Sequence, residues 1–226
     1  MLLPIFLKAF ILTSIITMSE SNKIKQFGIA GIASPIIGLL LVLVSISFSP
    51  WFDWPVNSLS DLGVEQQGGT QIAIWIFNGG MIIAGALIAV FVFFTRKTIP
   101  NNLMSKIAYS ILFIGGINLA LVGIFPYDIS ASIHRNVALI YFIFTPIGLT
   151  IIGAERFSRD RNFAMFSIVS GIIALVIIIG AVLAILGSPI STIYPEGVAI
   201  PEFIEAVILG LWVGIAGLRV LKTGKI

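Results

Sequence analysis

The chain has 226 residues, 58% of them hydrophobic and only 10% charged, with 13 Lys and Arg against 10 Asp and Glu for a formal charge of +3. Soluble domains carry about 25% charged residues, so this composition excludes an ordinary soluble fold. The cations sit at the ends of apolar runs rather than in a patch, which argues against a nucleic-acid partner. With no cysteine and one histidine, His134, disulfides, thiolate metal sites, cysteine nucleophiles and a multi-histidine metal centre within one chain are excluded, and neither a metal nor another cofactor is expected.

Apolar runs of about twenty residues, the length that crosses ~30 Å of hydrocarbon, use up the chain. They predict an all-α integral membrane bundle of six transmembrane helices, a single domain over residues 23–226 behind a short apolar extension, 1–22. Residues 1–17 are interrupted by Pro4 and Lys8 and lack both a basic leader and a small-residue cleavage pattern, so a signal peptide fits poorly. An extension lying at the interface and a seventh span both stay open.

The first span is read at 27–49, where Gly28, Gly31 and Ser34 form a small-residue strip for close helix approach and Pro35 favours a bend. The longest loop follows at 50–70. Its Trp51, Phe52 and Trp54 read as an interfacial aromatic belt, and Asn57-Ser58-Leu59-Ser60-Asp61-Leu62-Gly63 reads as a short capped turn ended by glycine. The second span is 71–94, closed by Arg96 and Lys97, and the third is 104–125. A turn over 126–136 leads into the fourth span, 133–154, with Asp128 or Ser130 as N-cap and Pro146 as a kink. A charged loop from Glu155 to Arg161, in which Glu155 and Arg156 read as an ion pair, separates it from the fifth span, 163–186. The sixth, 201–221, opens on Pro201 and carries Gly210 and Gly214 four apart.

Charge sets the orientation. One set of alternate loops holds Lys23, Lys25, Arg96, Lys97, Lys106, Arg156, Arg159, Arg161, Arg219, Lys222 and Lys225; the other holds only Arg135. The positive-inside rule makes the first set cytoplasmic, with both ends of the six-span core inside. Loops 50–70, 126–136 and 187–200 then lie outside a cell membrane. Asp53, Asp61, Glu65, Asp128, Glu196 and Glu202 fall outside too, with Glu205 one turn into the sixth span.

The stretch Gly123 to Asn136, GIFPYDISASIHRN, gathers His134, Asp128 and Arg135. Asn78 and Asn118 each lie seven residues, ~10 Å, below the outer end of their spans, and Tyr141 is two turns below His134 on the same face. Polar groups at that depth cost a few kcal/mol unless partnered, so they should face the interior. A site is therefore expected in the outer third of the bundle. His134 is its general base, oriented by Asp128 or Asp61, with Ser58 or Ser60 as nucleophile or activator of water. Asn78, Asn118, Tyr141, Glu205 and Arg135 are its substrate-binding candidates. Plainer roles are favoured for each: the asparagines as interhelical glue, Asp128 as a cap, Glu202 and Glu205 as partners of the helix dipole, and His134 as a clasp for the loop.

The run GIFPYDISASIHRNVALIYFIFTPIG, taken with NSLSDLG, resembles the polytopic membrane family catalogued as domain of unknown function 998. Members share a Ser-Asp/Glu-Leu-Gly motif in the first outer loop, here Ser60-Asp61-Leu62-Gly63. They share a Phe-Pro-x-Asp turn after the third span, here Phe125-Pro126-Tyr127-Asp128, and a histidine heading the fourth, here His134. The resemblance covers residues 28–221 and implies a six-span helical bundle; it supplies no activity. A fainter likeness to the seven-span ceramidase and adiponectin-receptor group, whose zinc site uses three histidines, stops at the single histidine of this chain.

Three functional classes remain. The first is a structural or accessory membrane component, partnered by membrane lipids, by other membrane helices or by copies of itself. The second is a membrane-embedded hydrolase or transferase acting on a lipid-type substrate at the outer leaflet. The third is a small proton-coupled transporter. The polar inventory is small and no GxSxG nucleophile motif is present, which favours the first.

Overall fold

The computed structural model describes residues 20–65, 68, 70–192 and 196–226; the stretch 1–17, open between an interfacial extension and a seventh span, lies outside them. Six helices are long and apolar enough to cross a membrane, and no strand occurs among the described residues. They are α1 (Glu20–Ser47), α2 (Gln71–Thr95), α3 (Leu103–Ile124), α4 (Tyr127–Arg156), α5 (Arg161–Ile185) and α6 (Ala199–Thr223). Local chemistry sets their ends. Thr70 accepts from Ala73 N at 3.3 Å to start α2, Asn102 from Ser105 N at 2.8 Å to start α3, and Asp160 from Phe163 N at 3.1 Å to start α5. Gly224, in the left-handed region at φ 74°, ends α6.

Two boundaries depart from expectation. α1 begins at Glu20, seven residues before the expected 27, because the polar residues ahead of the apolar run contain no Pro or Gly and continue the helix. The second lies at α4. Residues 126–136 read as a turn, yet α4 begins at Tyr127, directly after Pro126, whose fixed φ suits the entry to a helix. A single turn runs to Ser130, which is non-helical at φ −159°, ψ 94°, and the long helix continues beyond it. Ser130 therefore holds the extended position preceding the main helix, as expected of a cap residue, while Asp128 is exposed on the leading turn.

Each helix packs against its neighbours in sequence and α6 packs back onto α1, so the six close into a ring. In lipid there is no hydrophobic drive between helices, and close packing must hold them together. Glycines permit it. A Cβ on Gly28 would lie 2.5 Å from Gly217 O, joining α1 to α6; one on Gly85 would lie 2.3 Å from Ala120 N, joining α2 to α3; one on Gly153 would lie 2.6 Å from Ala164 O, joining α4 to α5. The Gly28 and Gly31 strip thus meets Gly217, and Gly210 and Gly214 face Pro35.

One half of the ring is filled by Trp212, Phe91 and Leu149. Trp212 Nε1 donates to Ser167 Oγ at 2.8 Å, and that hydroxyl donates to Phe163 O. This half ends in the basic loops. Glu155 accepts from Asn102 at 2.7 Å and pairs with Arg159 rather than with its neighbour Arg156, whose guanidinium turns to the Ile226 carbonyl. Arg219 pairs with Asp160.

The close approaches define a test. Gly85→Val should cost about 1–3 kcal/mol by overpacking, whereas Gly79→Val, with nothing within 4 Å of its Cβ, should change stability by less than about 0.5 kcal/mol. Thermal unfolding in detergent micelles reads both, and equal losses would count against the glycine seams. A second test concerns the basic end. The Phe163 N–H bond, helped by the Arg219 guanidinium, holds the Asp160 carboxyl below its ordinary range. Such a depressed acid adds stability above its unfolded pKa of about 3.9 and loses it as pH falls through the lower folded value. Asp160→Asn should be less stable than wild type at neutral pH, with the gap narrowing only once the pH falls below the ordinary aspartate value of about 3.9.

Candidate functional site

The other half of the ring is not filled. A cavity of about 90 Å³ runs from the loop end to mid-helix, bounded by α1, α2, α3, α4 and α6; a single water needs only ~10–15 Å³. Its wall is largely apolar: Val42, Phe77, Met81, Leu119, Phe142 and Leu209 among others. Polar side chains enter it at Ser34, Ser60, His134, Tyr141 and Glu202, and all but Ser34 belong to its loop half.

The 3-10 turn Leu59–Gly63 covers the mouth, and each motif residue has a physical task there. Ser60 faces the cavity. Asp61 accepts from Ser58 N at 2.8 Å and from Asn57 Nδ2 at 3.3 Å, closing the turn on itself. Leu62 is fully buried as a plug. Gly63 must lack a side chain, since a Cβ would sit 2.5 Å from Asn78 Oδ1 and 2.9 Å from the Phe77 ring. Asn78 Nδ2 donates to Gly63 O at 2.9 Å, Leu59 N donates to Glu202 Oε2 at 2.7 Å, and Ala199 N donates to Asn57 O at 2.9 Å. The lid is thereby fastened to α2 and to the start of α6. Trp51, Phe52 and Trp54 stack edge to face over it and onto Phe203, packed against the lid cluster.

His134 is buried, and Nδ1 lies 2.9 Å from Phe125 O. A carbonyl only accepts, so Nδ1 carries a proton and is engaged, and any proton exchange with a ligand falls to Nε2. That carbonyl belongs to the C-cap of α3, one of the groups a helix end leaves unsatisfied. The imidazole is thus oriented by a main-chain oxygen, with Tyr127 edge-on to its ring at 5.9 Å. Neither expected orienter holds it: Asp128 is exposed and Asp61 is committed to the turn.

The remaining candidates divide. Tyr141 is in the cavity wall. Glu205 is completely buried, and neither carboxyl oxygen has a hydrogen-bond partner among the described residues. It stands behind the wall, within electrostatic reach of Tyr141 and Glu202, as Glu202 is of Asp61. Asn118 is buried, but its Nδ2 bonds Ile114 O of its own helix, and it does not line the cavity. Asn78 serves the lid. Arg135 is exposed, with no ion pair among the described residues. Ser60 Oγ lies 3.0 Å from Ser58 Oγ. Among the described residues no three His, Cys, Asp or Glu side chains converge as a metal-binding group. The residue that sequence reasoning undervalued is Glu202. Its place in the first turn of α6 explains it by dipole alone, and nothing local signals a partner 143 positions away.

The arrangement supplies a fixed proton acceptor, a hydroxyl and a carboxylate at the mouth of an apolar pocket. Glu202 carries a direct expectation. Glu202→Ala strands the Leu59 amide and should cost about 1–3 kcal/mol, with faster hydrogen exchange across residues 59–63; Glu202→Gln keeps an acceptor and should lose less. Unchanged exchange in the alanine variant would mean that this bond does not hold the lid.

No curated protein and no solved structure matches the chain. A family model described as "Protein of unknown function (DUF998)" matches residues 32–219. That range includes the lid turn, the Phe125-Pro126 junction and His134, the features on which the resemblance rests. With five-sixths of its length inside that match and six membrane-crossing helices, the chain belongs to the DUF998 family.

Proposed function

We propose that this membrane protein binds a lipid-type amphiphile by its head-group end, the polar head and the first few carbons in the central cavity, with the head at the lid and His134 Nε2 as proton acceptor from it. The observation that carries this reading is the cavity itself: polar at its loop end through Ser60, His134, Tyr141 and Glu202, apolar below. An amphiphile has the same division, whereas a bundle built only for support gains from filling its centre. The accessory role drew on small-residue strips as surfaces for partner spans. Those strips meet partners within the chain, Gly28 and Gly31 against Gly217 and Gly210 against Pro35, so they supply no argument for an external helix.

On the same proposal the end holding Arg96, Arg159 and Arg219 is cytoplasmic and the lid faces outward, which assigns the head-group end to the outer leaflet. Were the site that of a hydrolase or transferase, His134 and Ser60 would be the groups at the cavity that act. Asp61 shapes the lid and Asp128 stays outside the site.

Purified wild-type protein should retain a lipid-type molecule detectable by mass spectrometry after extraction. Ala138→Trp, which fills the cavity from α4, should lose it. An identical lipid profile in the two proteins would refute the reading.

A further inference from the structure

We infer that the ligand of the central cavity enters sideways, from the bilayer, through the seam between α1 and α6, so that it is a membrane-dissolved amphiphile and not a water-borne solute. This rests on the cavity being a ligand site. Pro35, Leu39 and Gly210 line the cavity, and the same three residues line a groove of about 360 Å³ on the lipid-facing side of α1 and α6. One layer of side chains therefore separates the two spaces.

Three features single out this seam. First, α6 presents no side chain at Gly210; the nearest atoms to a Cβ there are Pro35 Cβ at 2.9 Å and Leu39 Cδ1 at 3.8 Å. Second, Pro35 lies inside α1 and has no N–H for the Gly31 carbonyl, so the helix bends there at lower cost. Third, the backbone-to-backbone contact of the seam, Gly28 with Gly217, lies towards the basic loops, whereas at Gly210 the two helices meet chiefly through the side chains of Pro35 and Leu39. The seam of α5 with α6 is thinner, but α5 contributes nothing to the cavity wall.

The alternative route, through the lid, is fastened by hydrogen bonds from Leu59 to Glu202, from Asn78 to Gly63, from Ala199 to Asn57 and from Gly197 to Pro55. The groove has no polar side chain in its lining. A hydrated solute would have to shed its water to cross it, at several kcal/mol for each unpaired polar group, while an acyl or isoprenoid chain meets hydrocarbon on both sides.

The test places one thiol in the cavity by Ala138→Cys, in a chain with no cysteine of its own, reconstituted in phosphatidylcholine vesicles. A long-chain N-alkyl maleimide that partitions into the bilayer should label it. A charged, membrane-impermeant methanethiosulfonate should react at least about tenfold more slowly. Adding Gly210→Leu should slow the maleimide about tenfold, equivalent to about 1.4 kcal/mol on the opening barrier. Gly214→Leu is the milder plug, because its Cβ keeps 3.5 Å from Pro35 Cγ, and Pro35→Ala, which restores the missing helical bond, should also slow labelling. Thermal unfolding identifies the variants that retain the fold. Comparable labelling by the water-borne reagent, or maleimide labelling indifferent to both leucines in folded protein, overturns the lateral route and leaves the cavity site intact. Labelling by neither reagent overturns both proposals.

Discussion

The structure depends on backbone meeting backbone where glycine removes the side chain. Gly28 against Gly217, Gly85 against Gly116 and Ala120, and Gly153 against Ala164 draw the helices together pair by pair. Between helices in lipid, dispersion and close fit replace the hydrophobic effect as the source of cohesion. Contacts made at the flanks of helices favour a ring over a solid cluster. A ring of six encloses space, and here Trp212, Phe91 and Leu149 occupy only part of it. The cavity is what remains of the interior once the basic half has been packed.

The lid and the histidine are two solutions to one problem, that of backbone groups left without partners at helix ends near a membrane surface. Phe125 O, orphaned at the end of α3, receives His134 Nδ1. The Leu59 amide at the start of the lid turn receives Glu202. Each satisfies a structural need, and both side chains also line the same cavity. The clasp role and the chemical role of His134 are therefore compatible, because its two nitrogens do different things.

Much of the fold is legible from the amino-acid sequence. The six spans follow from apolar run length, and their ends agree with the helices to within a few residues except at the start of α1, seven residues earlier than expected, and at α4, where a helix begins inside the expected turn. The lid turn was legible because Ser, Asp and Gly have strong local preferences. The site was legible in part. His134, Ser60 and Tyr141 line the cavity and Glu205 is buried at the depth that counting along the helix gives. What could not be read were contacts set by tertiary geometry. The Asp128 to His134 spacing suggests a pair, but the break at Ser130 interposes and the true acceptor is a main-chain oxygen, which no side-chain pattern reveals. Asn118 lies at the right depth on the wrong arc of its helix, bonded to its own backbone.

The closure of α6 on α1 also bears on how the protein is made. Chains fold from the N-terminus as they are synthesised, and α1 through α5 can assemble by contacts between neighbours in sequence. The cavity wall and the anchor of the lid both need α6: Gly210 and Leu209 for the wall, Glu202 and Ala199 for the lid. Until that helix is inserted, Ser34, Tyr141 and His134 border an open trough facing lipid or a neighbouring chain. A chain in which α6 has not yet packed therefore lacks both the enclosed chamber and the anchor of its lid.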